Sequence, residues 1–322
     1  MNKRLLICLC LLVACISYKT TITLTPSPSS PLIFYNNQSQ KDLKNSLIKS
    51  LKNAHSEIQI SVYSLSDPDV IKALNSKASE GLKVRVQIDK KQAKSASKKL
   101  SKEIVLSTVK QSGLMHQKVF LIDNLCYLGS SNLTSQSLRM HDNLMLGLCL
   151  PKLNNYLNAY LFEKKKPLQD FQAPNFELYL LPNKGVLNRV LESLNNAQDS
   201  IQIAMFTFTH PRVLDALIKA HKRGVKVCTV FDYLSHKGAS RFMAQKLKEA
   251  GIPIFHNRGL ALMHHKLAFI DQKTLITGST NWTKSGFEKN QECLVVIDRL
   301  SEKDNRFIRK LWRNLKWESK KI

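Results

Sequence analysis

Much of this 322-residue chain is written twice, and the duplication restricts its possible folds more than any other feature. The stretch from Ser50, SLKNAHSEIQISVYSLSDPDVIKALNSKASEGLKVRVQID, aligns with SLNNAQDSIQIAMFTFTHPRVLDALIKAHKRGVKVCTVFD from Ser193. Ala54 meets Ala197, Pro68 meets Pro211, Gly81 meets Gly224 and Asp89 meets Asp232, each pair 143 residues apart. A second block repeats too: MHQKVFLIDNLCYLGSSNLT begins at Met115 and MHHKLAFIDQKTLITGSTNWT at Met263. Here the spacing is 148, so the second copy holds five additional residues around SHKGASRFMAQKLKEAGIP. Surface connections absorb insertions of that kind. The pattern predicts two similar halves.

Within each copy the hydrophobic period switches between elements. Ile58, Ile60 and Val62 alternate as in a strand. Pro68 sits at a helix start, where its missing N–H is harmless, and Gly81 marks the stop. KVRVQI reads as a strand, followed by a lysine-rich helical stretch, a strand at IVL and the strand bearing the repeated histidine. Alternating strands and helices predict an α/β fold of two pseudo-symmetric halves, each a mixed β-sheet flanked by helices, with one site at their interface. The expected division is 1–15 export signal, 16–29 tether containing SPSSP, 30–166 first half and 167–322 second half, joined by KKKPLQDFQAPN. Near the end, Phe307, Ile308, Leu311, Leu315 and Trp317 are spaced for an amphipathic helix packed on the second sheet.

Charge narrows the partners. There are 49 Lys and Arg against 24 Asp and Glu, a formal net charge of +25. Such a surface attracts nucleic acid or an anionic bilayer, without choosing between them. A hydrophobic share of 43% excludes a disordered chain and a fully membrane-embedded one. MNKRLLICLCLLVAC has a basic start, and the apolar run from Leu5 to Ile16 is too short for a membrane span. It reads as an export signal, which predicts a secreted or membrane-associated protein. Leu12-Val13-Ala14-Cys15 resembles a bacterial lipoprotein cleavage box, making Cys15 a candidate lipidation site; a plain secretory signal and an uncleaved anchor stay open. Cys126, Cys149, Cys228 and Cys293 lie in apolar, strand-like runs and read as small buried hydrophobes. With no C-x-x-C pair and no zinc-like Cys/His spacing, neither a metal nor a cofactor is expected.

The chemistry is concentrated in the second repeated block. His116-x-Lys118-x-x-x-x-Asp123 precedes Gly129-Ser130-x-Asn132, and His264-x-Lys266-x-x-x-x-Asp271 precedes Gly278-Ser279-x-Asn281. In a strand, residues i and i+2 share a face, so each histidine projects with its lysine. A base beside a cation, twice over, suits work on one phosphate. The pattern resembles the phospholipase D superfamily, whose signature is H-x-K-x-x-x-x-D followed by G-S-x-N, in its two-copy form.

That resemblance implies phosphodiester hydrolysis through a covalent phosphohistidine. One imidazole attacks phosphorus, and the other protonates the leaving alcohol and later takes a proton from water. Lys118 and Lys266 would face the non-bridging oxygens, with Asn132, Asn281, Ser130 and Ser279 adding donors to the same charge. Asp123 and Asp271 would be structural. Aligned on the following strand, Glu292 stands where the first half has Asn143, and family members carry a glutamate there against the histidine ring. The expectation is Glu292 beside His264, keeping it protonated as the acid, and Asn143 beside His116, leaving it free as nucleophile. Asp142 is the alternative to Asn143. His55, His210, His221, His236 and His256 receive no role, His265 faces away from His264, and His141 is unassigned.

For substrate, the first reading is a membrane phospholipid such as phosphatidylcholine, supported by the signal and by the apolar GLM and GLALM before each histidine. A metal-independent, non-specific endonuclease is the alternative, supported by net charge and compact halves. A non-catalytic binding module comes third, since all four His/Lys positions are intact. With both copies in one chain, a monomer without an obligatory protein partner is expected, in contact with an anionic membrane surface.

Overall fold

Each copy of the repeat builds its own sheet. A computed structural model describes residues 23–37, 42–109, 112–165, 169–258 and 261–322; the export signal and Cys15 lie outside them. The first copy starts with β1 (Leu32–Tyr35), α1 (Leu43–Lys52), β2 (Glu57–Val62), α2 (Pro68–Ser79) and β3 (Lys83–Ile88). It continues through α3 (Lys90–Ser97), β4 (Val105–Thr108), β5 (Lys118–Ile122), β6 (Leu125–Gly129), α4 (Ser135–Arg139), β7 (Met145–Leu148) and α5 (Pro151–Leu161). The second starts with β8 (Phe171–Ala173), β9 (Phe176–Leu181), α6 (Lys184–Asn195), β10 (Ser200–Met205), α7 (Pro211–Lys222) and β11 (Lys226–Phe231). Then come α8 (Tyr233–Lys237), α9 (Arg241–Glu249), β12 (Ile254–Asn257), β13 (Lys266–Ile270) and β14 (Thr274–Gly278). Last are α10 (Lys284–Glu288), β15 (Glu292–Ile297), α11 (Glu302–Trp317) and β16 (Ser319–Lys321).

The first sheet has the order β1-β7-β6-β5-β2-β3-β4, and the second β16-β12-β11-β10-β13-β14-β15-β9-β8. In each, one parallel trio (β2-β3-β4 or β10-β11-β12) adjoins antiparallel strands, so both sheets are mixed as expected. The predicted helix stops and starts hold. Asp67 caps α2 just before Pro68, and Gly81 takes a left-handed φ of +86° after it.

Three apolar layers follow. Leu47, Leu51, Val70 and Leu74 cover the outer face of the first sheet, and Val190, Leu194, Val213 and Leu217 that of the second. Between the sheets lies a shared layer: Val119, Leu121 and Leu128 from one, Leu178, Phe269 and Val295 from the other, with Leu153 and Leu157 of α5. The halves are therefore joined through a common core, which fixes their mutual placement at the site above it.

Four expectations change. The segment expected as a tether is docked from Leu24 onward: the buried Tyr35 phenol donates to the Leu24 carbonyl, and Pro26 is buried. Part of the expected link between halves, Phe171–Ala173, is edge strand β8 of the second sheet. The five-residue insertion splits one helix into two, α8 and α9, where the first copy has α3 alone. Finally, α11 buries Ile308, Leu311, Trp312 and Leu315 in the layer between sheets, and Phe307 stacks on Phe34 of the first half. Trp317 is 83% exposed. Two residues past Leu315, it is turned about 200° around the helix, onto the solvent side. Among the described residues, no helix is long and apolar enough to cross a membrane.

Candidate active site

The histidine segments are built by the same devices in both halves. Asp89 and Asp232 cap α3 and α8, and their second carboxylate oxygens accept the backbone N–H of Met115 and Met263. Each segment then leaves its own sheet and pairs with the other half. The His116 N–H donates to the Gln291 carbonyl (2.9 Å) and the His264 N–H to the Asp142 carbonyl (2.9 Å). These are parallel bridges, Met115 with Gln291 and Asp142 with Met263, related by the pseudo-twofold.

That exchange overturns the expected pairing of the histidines. His116 Nδ1 meets both carboxylate oxygens of Glu292 at 2.9 Å, across the interface. His264 Nδ1 faces Asn143 Oδ1 and the Ser130 carbonyl, both at 3.1 Å. The carboxylate thus belongs to His116 and the amide to His264, the reverse of the expectation. The physical reason is the crossed bridge: each histidine lies beside the segment that leads into the other half's β7 or β15, where Asn143 and Glu292 stand. Asp142 does not substitute for Asn143, since only its backbone touches His264. Burial, together with the Glu318 charge, pushes its carboxyl up to about 7.

The two serines and Asn143 also differ from expectation, for they do not point at a substrate oxygen. Ser130 Oγ donates to Asn143 Oδ1 (2.9 Å) and Ser279 Oγ to Glu292 Oε2 (2.5 Å), each also accepting the next strand's N–H. Asn143 Nδ2 donates to the Ser137 carbonyl (2.9 Å), so its amide orientation is fixed. The preceding glycines explain the approach. At Gly129 a Cβ would stand 2.3 Å from the Leu144 carbonyl oxygen, and at Gly278 2.2 Å from that of Cys293. Only glycine lets the serine lie against the neighbouring strand. Asn132 and Asn281 follow two residues later, half-buried, each with a buried Oδ1 that accepts no hydrogen bond.

Asp123 and Asp271 lie at the far ends of β5 and β13, in left-handed turns (φ +49° and +50°). Asp123 accepts the N–H groups of His55, Ser56 and Glu57; Asp271 accepts those of Gln198, Asp199 and Ser200. Burial opposes ionisation of both, yet these amides hold them below the ordinary carboxylate range.

The lysines are deeply placed. Lys118 and Lys266 are 0% and 2% exposed, each donating to the carbonyl of its own histidine. Burial brings the Lys118 ammonium down to about 8 against the pull of Glu292. Burial and then the Lys118 charge push Lys266 well below its ordinary value. Burial lowers His116 too, with Glu292 opposing. His264 is pushed well down by burial and then by Lys266, Lys118 and His116. The four groups act on one another, and among the described residues Glu292 is the only carboxylate hydrogen-bonded to their side chains, with Asp89 and Asp232 adding weaker pulls on the lysines. Such a site favours an anion.

Sequence reasoning missed an aromatic pair. The Tyr63 ring lies 5.5 Å from that of His116 with Lys118 Nζ 5.7 Å from its centroid; for Phe206 against His264 and Lys266 both values are 4.9 Å. The two occupy equivalent columns of the repeat, an available signal. His141, unassigned from sequence, lies with its ring 6.5 Å from that of His264. Cys126 and Cys293 are buried free thiols, as expected. No group of three or more His, Cys, Asp or Glu among the described residues could hold a metal ion.

With this geometry in place, the likeness to known proteins is specific. Residues 47–164 and 190–317 both match the family model described as cardiolipin synthase, PLD-like domain. The chain belongs to the phospholipase D superfamily. The mitochondrial cardiolipin hydrolase of Mus musculus is 36% identical over 118 residues, 36% of this chain and 52% of that protein. That of Homo sapiens is 33% identical over 138 residues, covering 39% and 54%. A phospholipase D of Rickettsia prowazekii is 28% identical over 131 residues, covering 41% and 63%. The chain spans about half the length of the curated cardiolipin hydrolases it matches. Among solved structures, phosphatidylserine synthase of Haemophilus influenzae superposes with a TM-score of 0.73 at 13% identity, over 92% of this chain and 88% of that one. At that identity the likeness concerns the fold, two sheets around one interface. The phospholipase D-like chain is thus a member of a hydrolase superfamily acting on phosphodiesters.

Proposed function

We propose that the protein hydrolyses a phosphodiester of a membrane phospholipid, with His116 as nucleophile and His264 as general acid. The observation that carries this reading is the crossed pair: a carboxylate behind one imidazole, an amide and a carbonyl behind the other, and two buried ammoniums beside them. Glu292 accepts the Nδ1 proton of His116, which leaves the Nε2 lone pair free to attack. As the Nε2–P bond forms the ring becomes cationic, and the carboxylate stabilises that charge. His264 donates its Nε2 proton to the departing oxygen as the P–O bond breaks. Water then gives a proton back to His264 and attacks phosphorus, the P–N bond breaks, and His116 is released. In the free site His264 is a weakly held base; the substrate anion between Lys118 and Lys266 restores its proton affinity. Asn132 and Asn281 complete the oxyanion contacts in this scheme, and Ser130, Ser279 and Asn143 position the rings. The site is complete within one chain, acting as a monomer at an anionic membrane surface after export, with Cys15 as candidate anchor.

The lipid reading draws on the cardiolipin hydrolases and the phospholipase D among the relatives. A second reading, nucleic-acid cleavage, is favoured by the net charge of +25. The test is to incubate the protein, in EDTA, with phospholipid vesicles and separately with plasmid DNA. Release of head group or phosphatidic acid with intact plasmid supports the proposal. Nicked plasmid with untouched lipid replaces it by the second reading.

A further inference from the structure

The two rims of the cleft should be alike if the halves were alike, and they are not. On the His116 side, Lys90, Lys91 and Lys289 line one cavity with Leu114 and Asn290. Its position next to the chemistry is fixed by hydrogen bonds: Asn290 Oδ1 accepts the Leu114 N–H at 3.0 Å, and Asn290 Nδ2 approaches Glu292 Oε1 at 3.4 Å. Among the described residues, none of the three lysines forms an ion pair. The one carboxylate in the cavity lining, Asp89, is already engaged by the N–H groups of Lys91 and Met115.

The pseudo-twofold assigns each lysine a counterpart on the His264 side. Lys90 and Lys91 open the helix capped by Asp89; Tyr233 and Leu234 open the helix capped by Asp232. Lys289 is the C-cap of α10, and Met140 is the C-cap of α4. Three cations on one rim thus correspond to Tyr233, Leu234 and Met140 on the other. Leu234 and Met140 are 68% and 61% exposed, unusual for side chains with that much apolar area. Of the cations on this side, Arg139 faces Asp69 (3.8 Å), Lys237 lies over the Tyr233 ring (5.7 Å), and Arg258 lines a separate cavity with Asp142 and Glu318.

We infer that the cleft is built for an amphiphile with an anionic polar arm: a phosphodiester whose head group carries further negative charge over Lys90, Lys91 and Lys289, and whose apolar arm lies over Tyr233, Leu234 and Met140. This rests on the phospholipid reading above and sharpens it to anionic head groups. A polynucleotide, charged along its whole length, would be served by cations on both rims. A lipid with a zwitterionic head group would leave three ammoniums uncompensated.

Binding and turnover test this separately. Titrate the His116→Ala protein calorimetrically with dihexanoyl phosphatidylinositol 4-phosphate, whose head group bears a second phosphate, and with dihexanoyl phosphatidylcholine, both below their micelle concentrations. The expected result is at least about tenfold tighter binding of the anionic lipid, the scale of a few charge-assisted contacts. The Lys90→Gln/Lys91→Gln/Lys289→Gln variant should bring the two within about threefold. Equal affinities for the two lipids, or a preference unchanged in that variant, overturn the inference. In the active protein, Met140→Lys/Leu234→Lys should lower the lipid-to-plasmid cleavage ratio at least about tenfold, and an unchanged ratio counts against the apolar rim. A binding preference in a protein whose active form cleaves neither lipid would sink the proposed hydrolysis while leaving the cleft assignment standing.

Discussion

The two histidines stand just before equivalent strands, beside equivalent lysines and equivalent aromatic rings, yet one is backed by a carboxylate and the other by an amide. Glu292 and Asn143 occupy the same place in their respective halves, each held by the serine of its own Gly-Ser step and each reaching across to the opposite histidine. One side-chain difference therefore divides a symmetric frame into two unequal acid–base environments. A duplicated fold supplies position twice; the chemistry comes from where the copies depart from each other.

The largest expected effect is His116→Ala, which should reduce turnover by at least about 10⁴-fold, as loss of a nucleophile does. Next, Glu292→Gln removes the charge behind His116 and should lower kcat by about 10²-fold, a typical cost for losing one stabilising group at a developing charge. Its mirror, Asn143→Asp, places a carboxylate behind His264 and raises that ring's proton affinity. The descending alkaline limb of the kcat profile should move upward by about 1 to 3 units, the shift a close opposite charge brings. If instead the Glu292 variant moved that limb and the Asn143 variant did not, the assignment of acid and nucleophile would be reversed.

Smaller effects concern stability. The Lys118 ammonium is held at about 8 in the folded protein against its ordinary 10.5. Between those values the unfolded chain binds more protons at this residue, so stability should rise with pH across that window. Lys118→Met should flatten the rise and increase the melting temperature at pH 7 while abolishing turnover. A lower melting temperature would contradict the account of an uncompensated charge. Asp271→Ala strips the acceptor from three backbone amides far from the reacting groups, and should cost about 1–3 kcal/mol of stability with the pH profile unmoved. Thermal melts and a rate profile read both quantities.

Much of this was legible in the sequence, for identifiable reasons. Proline, glycine and alternating apolar residues are local signals, and α2, β2 and β3 follow them closely. The motif spacing put each histidine near its lysine, although the histidine precedes the strand that the lysine opens and the two meet through the lysine's bond to the histidine carbonyl. What could not be read was anything decided by the meeting of the halves. Alignment found that positions 143 and 292 correspond, but not that each serves the histidine of the other copy, because the crossed bridges join residues over a hundred positions apart. Ser130 and Ser279 looked like phosphate donors because their role depends on strands reached only after folding. Trp317 looked buried because it extends an apolar stripe by one residue too many.

The central claim is that one imidazole of the crossed pair becomes covalently phosphorylated while the other handles the proton. The most direct measurement uses His264→Asn with bis(p-nitrophenyl) phosphate, whose leaving group departs without an acid, so the intermediate accumulates when water is not activated. Peptide mass spectrometry at alkaline pH, where phosphoramidates survive, should then find one p-nitrophenylphosphoryl adduct per chain, on His116, with one nitrophenol released. An adduct on another residue, or a burst of nitrophenol with no adduct at all, would contradict the account.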